Sequence, residues 1–415
     1  MITRNSWRWL LALVSLAIAL VTLTPADVPD DALARTPWWC LVCGDQGIVD
    51  VLLNVLLFIP FGITLRGSGA PIRSLGAVGL AVTILIECAQ GLVIPGRDPS
   101  LSDVLTNTTG AVVGAWLMPF GPRILAPAPR LAAGITLAAT ALFLIQATGS
   151  AVLFRPAPIS SPTYETQWSQ VFPGTVPFRG EVISAEAMGL PLPPGRIDST
   201  ESLIKRLSTP PTFVSVEVEG AAGVRARAQI VALHDGDANI ITWFNQNRCT
   251  IEFRLRLAPA TLRLNYPAVA TLIPCDLEAN RLRIEGRMTH RALSVFVTDL
   301  ASGQVWSSTL SAGPNLAWSY LIPGYRAYHQ KNWPSGAWVM MWVAVLGYFA
   351  RFGQRLWWVA VPGGAVFVAL VLLPATLGLV PVSLIEWAGA AFGGAAGCAA
   401  AQWIRRRERR VETAG

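Results

Sequence analysis

Seven residues in and between three apolar stretches have the types and spacing of a polar site. Asp50 and Asn54 open the first stretch, Glu87 and Gln90 lie near the end of the second, Arg97 follows it, and Asp103 and Asn107 open the third. Residues three or four apart share a helix face, so each pair presents its side chains together. Asp103, Asn107, Gly110 and Gly114 fall within one narrow arc, polar at one end and small at the other. Carboxylates, amides and a guanidinium can hold a polar ligand, and Glu87 or Asp103 could act as general acid or base. The plainer reading is helix glue: interhelical hydrogen bonds contribute roughly 0.6–2 kcal/mol each. Ionisable groups within a membrane default to function. We therefore take the three carboxylates with Arg97 as a site, without assigning a catalytic residue.

The elements that carry them are membrane helices. The chain has 415 residues, 53% hydrophobic and only 14% charged, where a soluble domain carries about 25% charge. The net charge of +7 does not indicate nucleic acid, because the arginines flank apolar runs. A bilayer-crossing helix needs about 20 apolar residues. Eight segments approach this: 7–23, 47–65, 75–94, 103–120, 131–153, 335–350, 356–380 and 382–404. Pro362, Gly363, Gly364 and Pro374 interrupt the seventh. Arg4 and Arg8, Arg66 and Arg73, Arg123 and Arg130, Arg351 and Arg355, and the run Arg405, Arg406, Arg407 make every second loop basic. This predicts both termini in the cytoplasm and residues 155–333 outside. Segment 7–23 also has the basic start of a signal peptide, but Thr24-Pro25-Ala26-Asp27 offers no small-x-small cleavage site. On this map the polar residues lie in the outer half of the membrane. Glu87 is then about 10 Å deep at 1.5 Å per residue, where an ionised carboxylate needs a partner or water. Arg97 is the expected partner of Glu87 or Asp103.

The pattern Asp50-x3-Asn54-x3-Phe58-Ile-Pro60-x-Gly62, Glu87-x2-Gln90, Gly96-Arg97-x5-Asp103-x3-Asn107-x2-Gly110 resembles the VanZ-like membrane family over about residues 49–118. The resemblance implies a bacterial envelope protein of the cytoplasmic (inner) membrane, associated with resistance to the glycopeptide teicoplanin. It implies no particular reaction.

Residues 155–333 read differently. Pro clusters at 156–162 and 191–194 mark linkers. Short β-rich runs follow at 224–233, 240–245, 249–257, 281–285, 293–298 and 305–310. Ile251, Phe253, Leu255 and Leu257 alternate with Glu252, Arg254 and Arg256, the pattern of a half-buried antiparallel strand. Such strands with turn signals predict a β-sandwich. Arg227-x-Gln229-Ile-Val-Ala-Leu-His234-Asp235-Gly236 with the strand that follows is similar to a laminin-G/concanavalin-A-like jelly roll, over about residues 173–312. That resemblance implies glycan binding, sometimes through calcium. Asp235, Asp237 and Asn239 have oxygen ligands for calcium, yet Asp, Gly and Asn are ordinary turn residues, so no metal site is assigned. Trp243, Trp306 and Trp318 are candidates either for stacking on sugars or for the core. An oxidising exterior permits disulfides: Cys249–Cys275 is the expected staple, and Cys40-x2-Cys43 is a short disulfide or two thiols.

The expected architecture is an α-helical integral membrane protein of about eight helices with an inserted extracytoplasmic all-β sandwich. Its divisions are residues 1–154, 155–333 and 334–404, with a basic tail at 405–415. Gly389-x3-Gly393-x3-Gly397 marks a close-packing helix face, with Glu386 at its outer end. The expected partners are the lipid bilayer and a cell-wall or lipid-linked glycan, with no nucleic acid and no cofactor. Three functions fit: an envelope protein handling such a glycan, a non-enzymatic membrane-anchored lectin or scaffold, and a transporter. The outer-half confinement of the acids and the lack of an inverted repeat speak against the third.

Overall fold

A computed structural model of the chain describes residues 3–24, 38–39, 41–42, 47–94, 97, 99–159, 163–171, 175–197, 200–235, 240–322, 325–328, 333–353 and 357–414. It divides into two compact units, Met1–Leu125 and Ala126–Gly415.

The first unit is helical: α1 (Arg4–Thr22), α2 (Gly47–Gly67), α3 (Ile72–Leu92), α4 (Leu101–Leu117) and a short α5 (Gly121–Leu125). Thr3 caps α1 by accepting the Ser6 N–H at 3.2 Å, one of the donors a helix start leaves unsatisfied. Ile18, Phe58, Phe61, Leu75, Ile86 and Ala111 form its core. The α2 and α4 helices run parallel and nearly touch. A Cβ on Gly110 would lie 2.3 Å from the Val55 carbonyl oxygen, and on Gly114 2.0 Å from that of Ile59. Only glycine fits at these crossings.

In the second unit α6 (Pro129–Leu153) precedes a β-domain that contains the short α7 (Thr200–Leu207). After it come α8 (Trp333–Ala350), α9 (Trp357–Phe367), a π-helical turn (Val368–Leu372), α10 (Leu373–Leu377) and α11 (Leu384–Ala414). The α9–α10 stretch is one helix carried past Pro374 by the π turn. Proline supplies no N–H to the preceding turn, and a widened turn absorbs this. Gly378, at φ +62°, ends it in the left-handed region. The expected close-packing stripe is present: a Cβ on Gly389, Gly393 or Gly397 would lie 2.1–2.3 Å from carbonyl oxygens of Gly336, Met340 and Ala344 on α8.

All eight expected spans form helices, and six described stretches are long and apolar enough to cross a bilayer: α1, α2, α3, α6, Trp358–Leu377 and Leu384–Arg407. The α4 and α8 helices fall short of that measure. The first has 17 residues, about 26 Å at 1.5 Å per residue; the second has 18, beginning Trp-Pro-Ser-Gly.

The β-domain is a sandwich. One sheet has the order β13 (Arg326–Ala327), β9 (Ala268–Leu272), β8 (Thr250–Leu255), β7 (Ile240–Arg248), β6 (Val224–Asp235), β1 (Tyr164–Trp168), β4 (Gly195–Arg196). The other has β12 (Val305–Ser311), β11 (Ala292–Asp299), β10 (Asp276–Met288), β5 (Thr212–Ala222), β2 (Glu181–Ala187), β3 (Leu190–Pro191). Neighbours are antiparallel except β13 and β9. The strands expected from 224 onward correspond to β6–β8 and β10–β12. β5, whose Val214, Val216 and Val218 alternate into the core, is a strand that the sequence reading passed over despite its period of two. Ile230, Phe244, Phe253, Ile284 and Val295 fill the space between the sheets.

The β-domain is tied to the helices of its own unit. Ser383 and Glu386 form a reciprocal capping box on α11: the Glu386 carboxylate accepts the Ser383 N–H at 2.8 Å, and the Ser383 hydroxyl accepts the Glu386 N–H at 3.4 Å. The other Glu386 oxygen accepts the buried Asn315 amide at 2.8 Å. The Tyr320 hydroxyl donates to the Ser150 carbonyl of α6 at 3.0 Å, and the Trp318 indole to the Ser335 hydroxyl of α8 at 3.1 Å.

Cys249 and Cys275 are joined as a disulfide, with Cα atoms 4.9 Å apart. Mass spectrometry of unreduced, digested protein should recover this cross-link. Replacing both by serine should cost on the order of 3 kcal/mol, from closure of a 26-residue separation, read as a lower unfolding midpoint. A second prediction concerns pH. Asp299 accepts the Ser302 hydroxyl at 2.6 Å and the Ala301 N–H at 2.9 Å, which hold its carboxyl below the usual range. Arg283 does the same for Glu217. Both are depressed acids, so their stabilisation is complete above the ordinary carboxylate pKa and is lost as pH falls through the folded values. Asp299→Ala and Glu217→Ala should therefore flatten the acid limb of thermal stability against pH.

Candidate functional site

The site lies where α1 ends, α2 begins, α3 ends and α4 begins. The parallel α2–α4 contact brings the Asn54 amide to 2.7 Å from Asp103 Oδ1, to which it donates. Asp103 is in the first turn of α4, where the helix dipole favours a negative charge. Glu87, 5% exposed, reaches from α3 to accept the Ser100 N–H at 2.7 Å, directly before α4. Two carboxylates thus stand at one helix start, joined to α2 and α3. Asp103 feels the charges of Asp50 and Arg97, and Glu87 those of Asp103 and Arg97.

Gln90 and Arg97 hold the end of α1. The Gln90 amide donates to the Thr22 carbonyl at 2.8 Å. The Arg97 guanidinium donates to the Thr24 and Val21 carbonyls, each at 3.3 Å. The last carbonyls of a helix lack intrahelical partners, and a cation suits them. This departs from the expected contact. Among the described residues Arg97 has no carboxylate within ion-pair distance and acts on Glu87 and Asp103 only through its field.

Asn107, one turn below Asp103, is 2% exposed, and among the described residues its Oδ1 has no hydrogen-bond partner, nor has the neighbouring Thr108 hydroxyl. A buried polar atom left without a partner costs about 1–3 kcal/mol, so this amide is placed to receive a donor. Asp50 is exposed at the start of α2. The six hydrogen-bonding groups named from sequence, with Arg97, therefore gather at one end of the helical unit. Sequence reasoning missed their backbone partners, the Ser100 N–H and the Thr22 carbonyl, because main-chain groups carry no residue signal.

Other candidates fare differently. Trp318 is buried against Tyr325, ring centroids 4.6 Å apart, and is part of the core. Trp243 and Trp306 are half-buried. His234 is buried on β6. Asp235 ends β6, whereas Asp237, Asn239, Cys40 and Cys43 lie outside the described residues.

The glycine crossings hold this arrangement, and that can be measured. Gly114→Leu should force α2 and α4 apart and cost about 1–3 kcal/mol or more by overpacking, seen as a lower melting temperature in detergent. Gly121→Leu, where a side chain meets open space, should leave it unchanged.

Residues 5–122 match the family described as VanZ/LLP1. No curated protein and no solved structure matches the chain. The matched range takes in α1 to α4 and the whole polar cluster, so the N-terminal unit of this protein is a VanZ-like domain.

Proposed function

We propose that this chain is a multi-pass protein of the bacterial cytoplasmic membrane whose VanZ-like domain receives the polar part of a cell-wall or lipid-linked glycan precursor in the outer leaflet. The observation that carries this reading is the convergence of Asn54, Glu87, Asp103 and the unpartnered Asn107 oxygen at one end of three helices. The buried Asn107 oxygen, which has no partner among the described residues, is an acceptor that a polar ligand could satisfy. The alternation of basic loops supports cytoplasmic termini and an extracytoplasmic β-domain, and its two packed sheets are compatible with a laminin-G/concanavalin-A-like, glycan-binding type. The association of the VanZ-like family with teicoplanin resistance supports an envelope role. Whether the site transforms its ligand or only binds it, Glu87 and Asp103 are the groups able to accept a proton from it.

Two experiments test this. With the native cysteines replaced, Gln304→Cys should be labelled by an impermeant thiol reagent on intact cells and Ser68→Cys should not; the reverse pattern refutes the orientation. Glu87→Gln preserves an acceptor for the Ser100 N–H while removing the charge. At equal abundance it should abolish growth of expressing cells in teicoplanin, where the unchanged protein confers it. Unchanged growth would mean that the cluster only packs helices.

A further inference from the structure

A partly open cavity of about 40 Å³ lies within the second unit, where the β-domain meets the first turns of α8 and α11. Its wall takes in Gly313 and Asn315 after β12, the Trp318–Tyr325 pair, Ser335 of α8 and Glu386 of α11. Glu386 is the one carboxylate in this wall, and among the described residues no Lys, Arg or His lines it. The Glu386 oxygens accept the Asn315 amide, the Ser383 N–H and the Ser383 hydroxyl at 2.8–2.9 Å. A carboxylate has about four lone-pair sites, so it retains capacity for a further donor. The Asn315 amide that holds it is 1% exposed, and its Oδ1 has no partner among the described residues. A wall with this charge and these acceptors suits a cation that carries N–H donors.

Size and surroundings narrow the cation. Trp318 and Tyr325 stand edge to face with ring centroids 4.6 Å apart, and aromatic rings attract an ammonium whether or not it is methylated. Space discriminates between the two. A water needs about 10–15 Å³ by the same measure, so the cavity holds about three water-sized groups. That is the nitrogen and two carbons of an aminoethyl group, whereas a trimethylated nitrogen exceeds it and has no N–H to give Glu386. The neighbouring surface is that of a membrane helix end. Glu386 lies at the start of Leu384–Arg407, a stretch able to cross a bilayer. Leu384 is 86% exposed, and Ile385, Trp387 and, on α8, Trp333 are exposed as well, as suits acyl chains with tryptophans at the headgroup level. Arg291 stands next to the wall: its carbonyl accepts the Ala312 N–H at 2.6 Å. Its side chain is exposed, with Nη2 3.3 Å from where a Cβ on Gly378 would lie.

We propose that this cavity binds the aminoethyl headgroup of a phospholipid, with Glu386 receiving the ammonium and Arg291 the phosphate. The ammonium brings three N–H donors to a carboxylate with capacity to spare, and a hydrogen bond between two charged groups is among the strong ones. The guanidinium fork matches the phosphate oxygens, and the exposed apolar residues beside Glu386 take the chains. Cation in the cavity, anion at Arg291 and apolar surface on the helices reproduce the order of groups in such a lipid. The site belongs wholly to the second unit, so it stands apart from the polar cluster of α1–α4, and failure of the glycan reading leaves it untouched.

The test uses the purified, delipidated full chain in detergent, with bound lipid counted by native mass spectrometry. The probes are dioleoyl phosphatidylethanolamine, phosphatidylcholine and phosphatidylglycerol of the same chains, and free phosphoethanolamine. The ethanolamine lipid should bind saturably. The choline lipid, without N–H donors, and the glycerol lipid, without an ammonium, should each bind about tenfold more weakly or worse. Free phosphoethanolamine, lacking the chains, should also be at least about tenfold weaker. Glu386→Gln keeps an acceptor for Asn315 and removes the charge, so the preference for ethanolamine over choline should vanish. Arg291→Gln should weaken binding of the ethanolamine lipid. Gly313→Leu places a side chain where a Cβ meets open space. It should fill the cavity and erase the preference at an unchanged melting temperature, which keeps the test decisive if Glu386→Gln folds poorly. Equal binding of the three lipids, or a preference that survives in both Glu386→Gln and Gly313→Leu, would overturn the proposal. Free phosphoethanolamine binding as tightly as the lipid would overturn the membrane as its source.

Discussion

The approach of α2 to α4 is the constraint on which the first unit depends. With glycines at 110 and 114, the α4 backbone comes so near the Val55 and Ile59 carbonyls that a Cβ would overlap them. Two parallel helices at that separation share one end, and the third turn of α2 brings the Asn54 amide to the Asp103 carboxylate in the first turn of α4. Any larger residue at the crossing would widen the gap and break that bond. The small half of the α4 face thereby sets the geometry of the polar half.

Helix ends account for the rest of the cluster. A helix start leaves N–H groups unsatisfied and a helix end leaves carbonyls. The first unit pairs acids with the former and donors with the latter. Glu87 meets the Ser100 N–H before α4, whereas Gln90 and Arg97 meet the last carbonyls of α1. Among the described residues Arg97 thus acts on these carboxylates through its field and pairs directly with none. At Asn107 and Thr108, each buried with an oxygen that has no partner among the described residues, this satisfaction stops.

The second unit repeats the principle in its own way. The Ser383–Glu386 capping box starts α11, and its carboxylate also takes the Asn315 amide of the β-domain. A cap that would serve the helix alone thereby anchors a sandwich. With Tyr320 on α6 and Trp318 on α8, the β-domain is held to three helices by hydrogen bonds made mostly by buried groups, where water does not compete.

The sequence by itself determined the classes of element. Apolar length marked the helices, period-two alternation from Val224 marked the strands, and the spacing of Asp50, Asn54, Glu87, Gln90, Asp103 and Asn107 marked the polar faces, because these are properties of residues close in the chain. The glycine stripe of α11 and the Cys249–Cys275 bridge were legible for similar reasons, one as a repeat and the other as two thiols in a segment read as extracytoplasmic. What only the tertiary structure decided were the partners. Arg97 meets carbonyls in place of the expected Glu87 or Asp103 because the end of α1 lies beside it, a contact 73 residues apart in the chain. Glu386, a lone acid in the sequence, became a joint because Asn315 folds onto it. The burial of Asn245 follows from strand register, which sets it between Gln229 and Glu252 of neighbouring strands, something a single strand's alternation does not contain. Periodicity encodes which face a residue occupies; which group meets that face depends on long-range packing.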